Sequence, residues 1–526
     1  MTYDYVIVGA GSAGCVLANR LSANPAQRVL VLEAGGRDWH PFIHMPAGLA
    51  KLVNDKRINW DYYTEPVPAL AHRRLWWPRG KVLGGSSSIN AMCYTRGAPG
   101  DYDAWADATG DPRWSWNALL PVFKRAEDNA RGADAFHGSG GPLSVSDLRH
   151  HNVLSDVVLD AAAAARFARN DDFNGATQEG FGFYQVTQRD GARCSAADAY
   201  LAPARLRENL TVLTHALTSR VIVEDARAVG VEYRRRGRTE RVEAGCVVLA
   251  GGAINSPQLL MLSGIGPADH LREHGVEAAC DLPGVGANLQ DHLDICTLVR
   301  STQPVTYDKT NDVAVALRFL LQRSGIGTSN IAEAGGFVRS RHATDVRCDL
   351  QFHFVPALLD QHGKHRLDGY GYTLHACALR PESRGTIRLK SADPAAHAAI
   401  SPNYLGDAAG RDLVLLIEGA RISREIFAQK PFAPYRGEEI FPGPRAETDA
   451  ELETFVRRKA ETIYHPVGTC RMGHDALAVV DSELRVRGVE NLRVVDASIM
   501  PTLIGGNTNA PTMAIAERAA GLLIST

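Results

Sequence analysis

Apolar and polar positions alternate in two different periods along this chain, and the switches between them mark the elements. Tyr3–Val8 is a short apolar run that predicts a buried strand. Six residues of glycine-rich turn follow, Gly9 to Gly14, and Cys15–Leu21 then takes helical spacing before a second apolar strand at Arg28–Glu33. From Ala34 to Arg79 periodicity is lost among Trp39, Pro41, Pro46, Trp60, Trp76 and Trp77, which predicts a long irregular excursion. Helical spacing returns over Asp101–Asn129, with Trp105, Trp114 and Trp116 as packing residues, and over Ser155–Phe167. Gly180–Gln188 alternates like a strand. Leu210–Thr214, Arg220–Glu224, Ala228–Tyr233, Glu240–Glu243 and Gly245–Ala250 read as consecutive strands. Ala253–Gly266 predicts a helix capped by Ser256, with Pro257 at its first position. A second β-rich region spans 301–457, with strands at Asp349–Phe354, Tyr370–Ala376 and Gly385–Leu389. Asn491–Asp496 is a last buried strand, and Ala510–Pro511 opens a final helix through Ala519.

Composition narrows the class. At 526 residues the length prior suggests about three domains, although large α/β enzymes often thread two discontinuously. A formal net charge of −2 gives no basic field for nucleic acid, so that class is excluded. The nine cysteines, Cys15, Cys93, Cys194, Cys246, Cys280, Cys296, Cys348, Cys377 and Cys470, contain no CxxC pair. A reducing compartment is therefore expected, with neither a disulfide framework nor a metal site. The chain enters a strand at once, without a basic leader, so no signal peptide is expected. No uncharged apolar run approaches the roughly 18 residues of a membrane span. The expected location is the cytoplasm, with peripheral attachment to the inner face of the membrane left open. Oligomeric state is not readable.

Four stretches carry chemistry. Gly9, Gly11 and Gly14 form a GxGxxG inside strand–turn–helix–strand context. Gly9 permits the turn, Gly11 a close approach of backbone to a pyrophosphate, and Gly14 close packing of helix on strand. The helix N-terminus offers free N–H groups to phosphate, and Glu33 ends the second strand where a carboxylate can take ribose hydroxyls. An acid there argues against NADP but does not separate FAD from NAD. Gly84-Gly85-Ser86-Ser87-Ser88-Ile89-Asn90 leads into apolar residues, unlike a flexible linker, and reads as a backbone cradle for a flat ligand. Asn507-Thr508-Asn509 precedes the last helix, whose positive dipole end would favour an anionic ring. Thr462–Gly473 fits neither period and holds His465-Pro466 in a loop. Asn288–His292 is a further polar cluster, with Asp291 and His292 read as local structural groups. His353 sits in an aromatic strand, where a core position and a substrate-facing one stand equal.

Taken together these stretches resemble the glucose–methanol–choline (GMC) flavin oxidoreductases. The resemblance rests on Gly9–Gly14 with Glu33, on Gly80–Asn90, Gly252–Gly266, Asn288–His292 and Tyr464–Gly473, and on Asp496-Ala497-Ser498 with Asn507–Asn509. It runs from end to end and is strongest to bacterial alcohol dehydrogenases of alkane degradation and choline dehydrogenase-like members. It implies FAD, held at the nucleotide end by Gly9, Gly11, Ser12, Ala13, Gly14, Glu33, Ala34 and Val221. Val82, Gly84, Ser88, Asn90, Ala91, Met92, Asp496, Ala497, Asn507, Thr508 and Asn509 complete the cofactor site. A linking histidine of covalent members falls at Ile89 here, so the flavin is expected to be non-covalent. His465 corresponds to the catalytic base and Asn509 to its partner. The implied fold class is α/β and α+β: a Rossmann-like FAD domain (1–155, 190–300 and 458–526), and a substrate domain on an antiparallel sheet (156–189 and 301–457). The implied reaction oxidises a primary alcohol to the aldehyde and passes electrons to a quinone or other acceptor. An O₂-using aryl- or furan-alcohol oxidase and a choline dehydrogenase are the alternatives.

Overall fold

The computed structural model describes residues 2–524. Two sheets organise it. The first places Leu210–Leu213, Val29–Leu32, Thr2–Val8 and Arg238–Leu249 side by side, with Leu492–Val494 on the far side of the last. All these pairings are parallel. Val29–Leu32 is buried throughout, as expected of a strand covered on both faces.

Arg238–Leu249 is one long strand rather than the two predicted, because the small residues Ala244 and Gly245 look like a break yet continue the pleat. Its first half pairs antiparallel with Arg227–Arg235, which in turn pairs with Ala216–Glu224. Its second half pairs with Thr2–Val8, up to Val8↔Leu249. Parallel strands end at a common edge, where ligands of open α/β sheets bind. Gly9 follows Val8, Glu33 follows Leu32, Gly251-Gly252 come just after Leu249, and Asp496 lies just past Val494.

The second sheet is antiparallel: Arg436–Phe441, Leu293–Ser301, Gly371–Ala378, Leu350–Val355, Ala334–Val338 and Gly180–Phe183, in that order. Helix Arg411–Ala428 packs on it, so closely at Gly419 that a Cβ there would lie 2.8 Å from Ala376 Cβ. Leu293–Ser301 belongs to this sheet, so the chain enters it before residue 301, where the second β-rich region was read to begin. Thr386–Arg388 pairs with Ala399–Ser401, in a two-stranded sheet apart from this one.

Several helix starts shift from the sequence reading, and two of the shifts bear on the site. The helix expected at Pro257 begins at Gly252 and carries Pro257 inside it. Proline there leaves the carbonyl of Ala253 without its helical N–H, and Thr469 Oγ1 donates to that carbonyl at 2.6 Å. Ser256 Oγ accepts from Gly251 N at 3.0 Å and donates to Asp496 Oδ2 at 2.6 Å, so it ties the turn from within rather than capping the helix. The last helix starts at Asn509, and Pro511 falls in its first turn, where no helical N–H is needed. The excursion between Ala34 and Arg79 contains two short helices, Pro41–His44 and Leu49–Leu52, and a hairpin of Tyr62–Tyr63 with Trp76–Trp77.

Candidate active site

A cavity of about 860 Å³ runs from the carboxyl edge of the parallel sheet to the face of the antiparallel one. At the nucleotide end, Gly9 has φ of +102°, a conformation that favours glycine. A Cβ on Gly14 would lie 1.8 Å from Gly9 O, so helix and strand close up only because Gly14 lacks a side chain. Across the cavity floor a Cβ on Gly85 would come within 2.7 Å of Gly11 Cα. The two glycine loops therefore touch, backbone to backbone. Helix Ser12–Leu21 has no side-chain cap on its N-terminal N–H groups. Glu33 accepts from Ala10 N at 2.9 Å and from Gly35 N at 2.8 Å, and burial pushes its carboxyl up to about 7.

These residues fit a flavin dinucleotide. Uncapped N–H groups suit its phosphates, the buried Glu33 suits a ribose, and Gly85, Ser86 and Ile89 to Cys93 together with Ala497 and Asn507–Asn509 make a second wall. Ile89 lines this wall.

At the other end lies His465, 7% exposed and part of the cavity wall. Its loop is fastened residue by residue to Asn288–His292. Asn288 Nδ2 donates to Gly468 O and Pro501 O, both at 3.2 Å. Gln290 exchanges backbone bonds with Val467. Asp291 accepts from His465 N at 2.7 Å, from Thr462 Oγ1 at 2.6 Å and from the Tyr404 hydroxyl. Burial raises the Asp291 carboxyl to about 6 despite those donors. Arg79 donates to Tyr464 O at 2.8 Å, and Tyr464 holds a left-handed φ of +72° just before the histidine. Gly468, at φ +90°, has no room for a Cβ beside Asn288 O, 2.6 Å away. The polar cluster read from sequence as local is thus the anchor of the histidine loop. Only its long sequence separation hid that.

Asn507, not Asn509, meets the histidine. Asn507 Nδ2 lies 3.3 Å from His465 Nε2. Its Oδ1 accepts from Gln351 Nε2 at 3.0 Å and Thr95 Oγ1 at 3.2 Å, which turns the amide N–H toward the ring. Asn509 Oδ1 instead accepts from Ser12 Oγ at 2.7 Å, joining the last helix to the first. His353 lines the cavity, stacks on Tyr184 with centroids 5.1 Å apart, and has no partner at Nδ1 among the described residues.

Gly9, Gly11, Ser12, Ala13, Glu33, Ala34, Asn90, Ala91, Met92, Asp496, Ala497, Asn507, Thr508 and Asn509 all line the cavity. Five predicted residues do not. Gly14 serves packing. Val82 is buried in a small cluster with Ile43, Leu52, Ile58 and Ile89. Gly84 N donates to Ala10 O at 2.8 Å, and Ser88 Oγ to Leu83 O at 2.7 Å, so both hold the cradle from behind. Val221 N donates to Ser263 Oγ at 2.8 Å, while the wall from that strand is Ala216–Thr218.

Burial, with His292, His353 and Arg79 nearby, pushes His465 well below the ordinary histidine range. A base must be unprotonated to act, so a lowered value moves the acid limb of activity downward. The limb of kcat/KM is expected to fall below the reference histidine value of about 6.5. A pH profile with its acid inflection above 7 would contradict this.

A glycine-lined dinucleotide cleft opening onto a buried histidine–asparagine pair defines a flavin-type oxidoreductase. The comparisons with known proteins agree. The GMC oxidoreductase model matches residues 3–294, and its C-terminal counterpart residues 381–516. An alcohol dehydrogenase (acceptor) of Pseudomonas putida is 51% identical, over 99% of this chain and 96% of its own length. Human mitochondrial choline dehydrogenase is 46% identical over 99% and 89%. The crystal structure of pyridoxine 4-oxidase from Mesorbium loti superposes with a TM-score of 0.91 at 37% identity, covering 100% of this chain and 99% of the other. The chain belongs to the GMC oxidoreductase family. It is an FAD-dependent oxidoreductase acting on CH–OH donors.

Proposed function

We propose that the protein oxidises an uncharged primary alcohol to the aldehyde, with His465 as base, and delivers the electrons to a quinone-like acceptor. The observation that carries this reading is the pairing of His465 Nε2 with the Asn507 amide at the cavity wall. An alcohol must lose a proton from oxygen as hydride leaves carbon, and a neutral imidazole within reach takes it. The Asn507 N–H is placed to donate to the same oxygen as negative charge develops there. Bound FAD supplies the hydride acceptor. The reading also divides the chain into a cofactor domain on the first sheet and a substrate domain on the second.

The wall near His465 and His353 includes Ile463, Val355, Ala357 and Leu358. The apolar part of this wall favours a neutral alcohol over a quaternary ammonium, which would need a cage of aromatic rings or a free acid around it. Helix Asp312–Gln322 supports the acceptor reading. Val313, Leu317 and Leu320 line the cavity yet are 68%, 53% and 64% exposed. An apolar helix at the mouth suits an acceptor reached from a membrane surface. Among the described residues no helix is long and apolar enough to cross a membrane.

The test is a panel of aliphatic, aryl and furan alcohols and choline, each assayed with a quinone in vesicles, a soluble dye and O₂. Highest kcat/KM on an aliphatic alcohol with quinone is expected. Preference for choline, or peroxide as the main product in air, would replace the reading with one of the two alternatives. The cradle residue Ile89 offers no nucleophile for a flavin bond. Acid precipitation is therefore expected to release the yellow cofactor into the supernatant, and colour retained in the pellet would contradict a non-covalent flavin.

A further inference from the structure

We infer that His292 is a positioning residue that fixes which nitrogen of His465 is free to act as base. The inference rests on the reading of His465 as the base. His292 is fully buried and does not line the cavity. Its Nε2 lies 3.3 Å from the carbonyl oxygen of Leu379. A carbonyl can only accept, so the proton of His292 sits on Nε2. In a neutral ring the other nitrogen, Nδ1, is then an acceptor. Its partner, 2.9 Å away, is His465 Nδ1, with the two rings nearly perpendicular at 86°. His465 must therefore carry its proton on Nδ1. Nε2 is left bare, on the side of Asn507 and the cavity.

The direction of each hydrogen bond follows from the one before it, starting at a backbone carbonyl that cannot change its role. The other tautomer of His465 would set two lone pairs face to face at 2.9 Å and would present an N–H, not a base, to the alcohol. Charge around the relay keeps His292 neutral. Burial, Arg380 and His353 hold it far below the usual histidine value, at about 3. When His465 takes the proton, its Nδ1–H still has the His292 acceptor, so the cation forms without loss of a bond.

The experiment compares His292→Leu, which removes the acceptor, with His292→Asn, whose Oδ1 can replace Nδ1. Each variant is assayed as the FAD-loaded enzyme for kcat and KM. The ¹⁵N-histidine spectra of the wild type and His292→Leu are recorded, with the His465 signals assigned by their loss in His465→Ala. Removing the group that holds a catalytic tautomer costs orders of magnitude, so His292→Leu should lose about 10²-fold in kcat with KM little changed. His292→Asn should recover most of that loss. Wild-type His465 should show its proton on Nδ1 alone, and His292→Leu, left with only the Asn507 N–H to hold that tautomer, should show part of it moved to Nε2. Equal loss in both variants, unchanged kcat in His292→Leu, or a wild-type proton on Nε2 overturns the inference. If His292→Leu does not fold, the asparagine variant and the wild-type spectrum still decide. Full turnover in His465→Ala would instead remove the base reading on which this one stands, so the two failures are distinguishable.

Discussion

Replacing His465 by alanine is expected to leave the protein yellow and folded but to cut turnover by about 10²–10⁴-fold, the usual contribution of a positioned base. The two halves of that expectation have separate causes. On the proposed reading the cofactor is held by the glycine loops, the uncapped helix at Ser12 and Glu33, which line the same cavity without touching the imidazole. The histidine loop is held by its backbone, through Asp291 to His465 N and through Val467 to Gln290, and these bonds survive loss of the ring. Only the bonds of the imidazole itself, to His292 and Asn507, disappear. Flavin absorbance per mole of protein and steady-state turnover check the two halves independently. Turnover within a few-fold of the wild type would take the base role away from His465. Loss of flavin together with activity would show that the ring serves the cofactor site instead.

What could be read from the sequence, and what could not, follows from how far each signal reaches along the chain. The GxGxxG turn is legible because its demands are local: Gly9 needs its positive φ, and Gly14 abuts Gly9 only five residues away. The short apolar runs ended by glycine or acid are legible for the same reason, and they put Gly9 and Glu33 just past the ends of their strands, whereas the order of those strands comes only from the structure. Register within a strand is harder. Val221 and Thr218 lie on the same strand, and only Thr218 reaches the cavity. The start of the helix at Gly252 was hidden because Pro257 normally marks a first turn. The group that makes an interior proline tolerable there, Thr469, is more than two hundred residues away. A separation of 174 residues between Asp291 and His465 likewise hid the purpose of Asn288–His292. Its residues look like a local polar cluster until folding lays them along the histidine loop.

The choice between Asn507 and Asn509 shows this limit most sharply, and it sets the second large effect. The two residues are one position apart from being neighbours and have the same side chain. They sit at the point where an irregular loop becomes the helix Asn509–Ile524. A two-residue step at such a junction turns a side chain to a different wall, so spacing alone cannot choose between them. The network can. Gln351 and Thr95 hold Oδ1 of Asn507, which sends its N–H to His465 Nε2, whereas Asn509 is bonded to Ser12 beside the glycine turn. Asn507→Ala is therefore expected to lose about 10²–10³-fold in kcat, as for removal of one donor to a developing oxyanion, with flavin content unchanged. Asn509→Ala should keep kcat within a few-fold and instead bind flavin less firmly, because Ser12 opens the helix at the dinucleotide end. Measuring kcat beside the flavin-to-protein ratio for the two variants separates the roles. If Asn509→Ala takes the larger loss of kcat with its flavin intact, the partner of His465 is Asn509 after all. In that case the Asn507–His465 contact is a feature of the resting site alone.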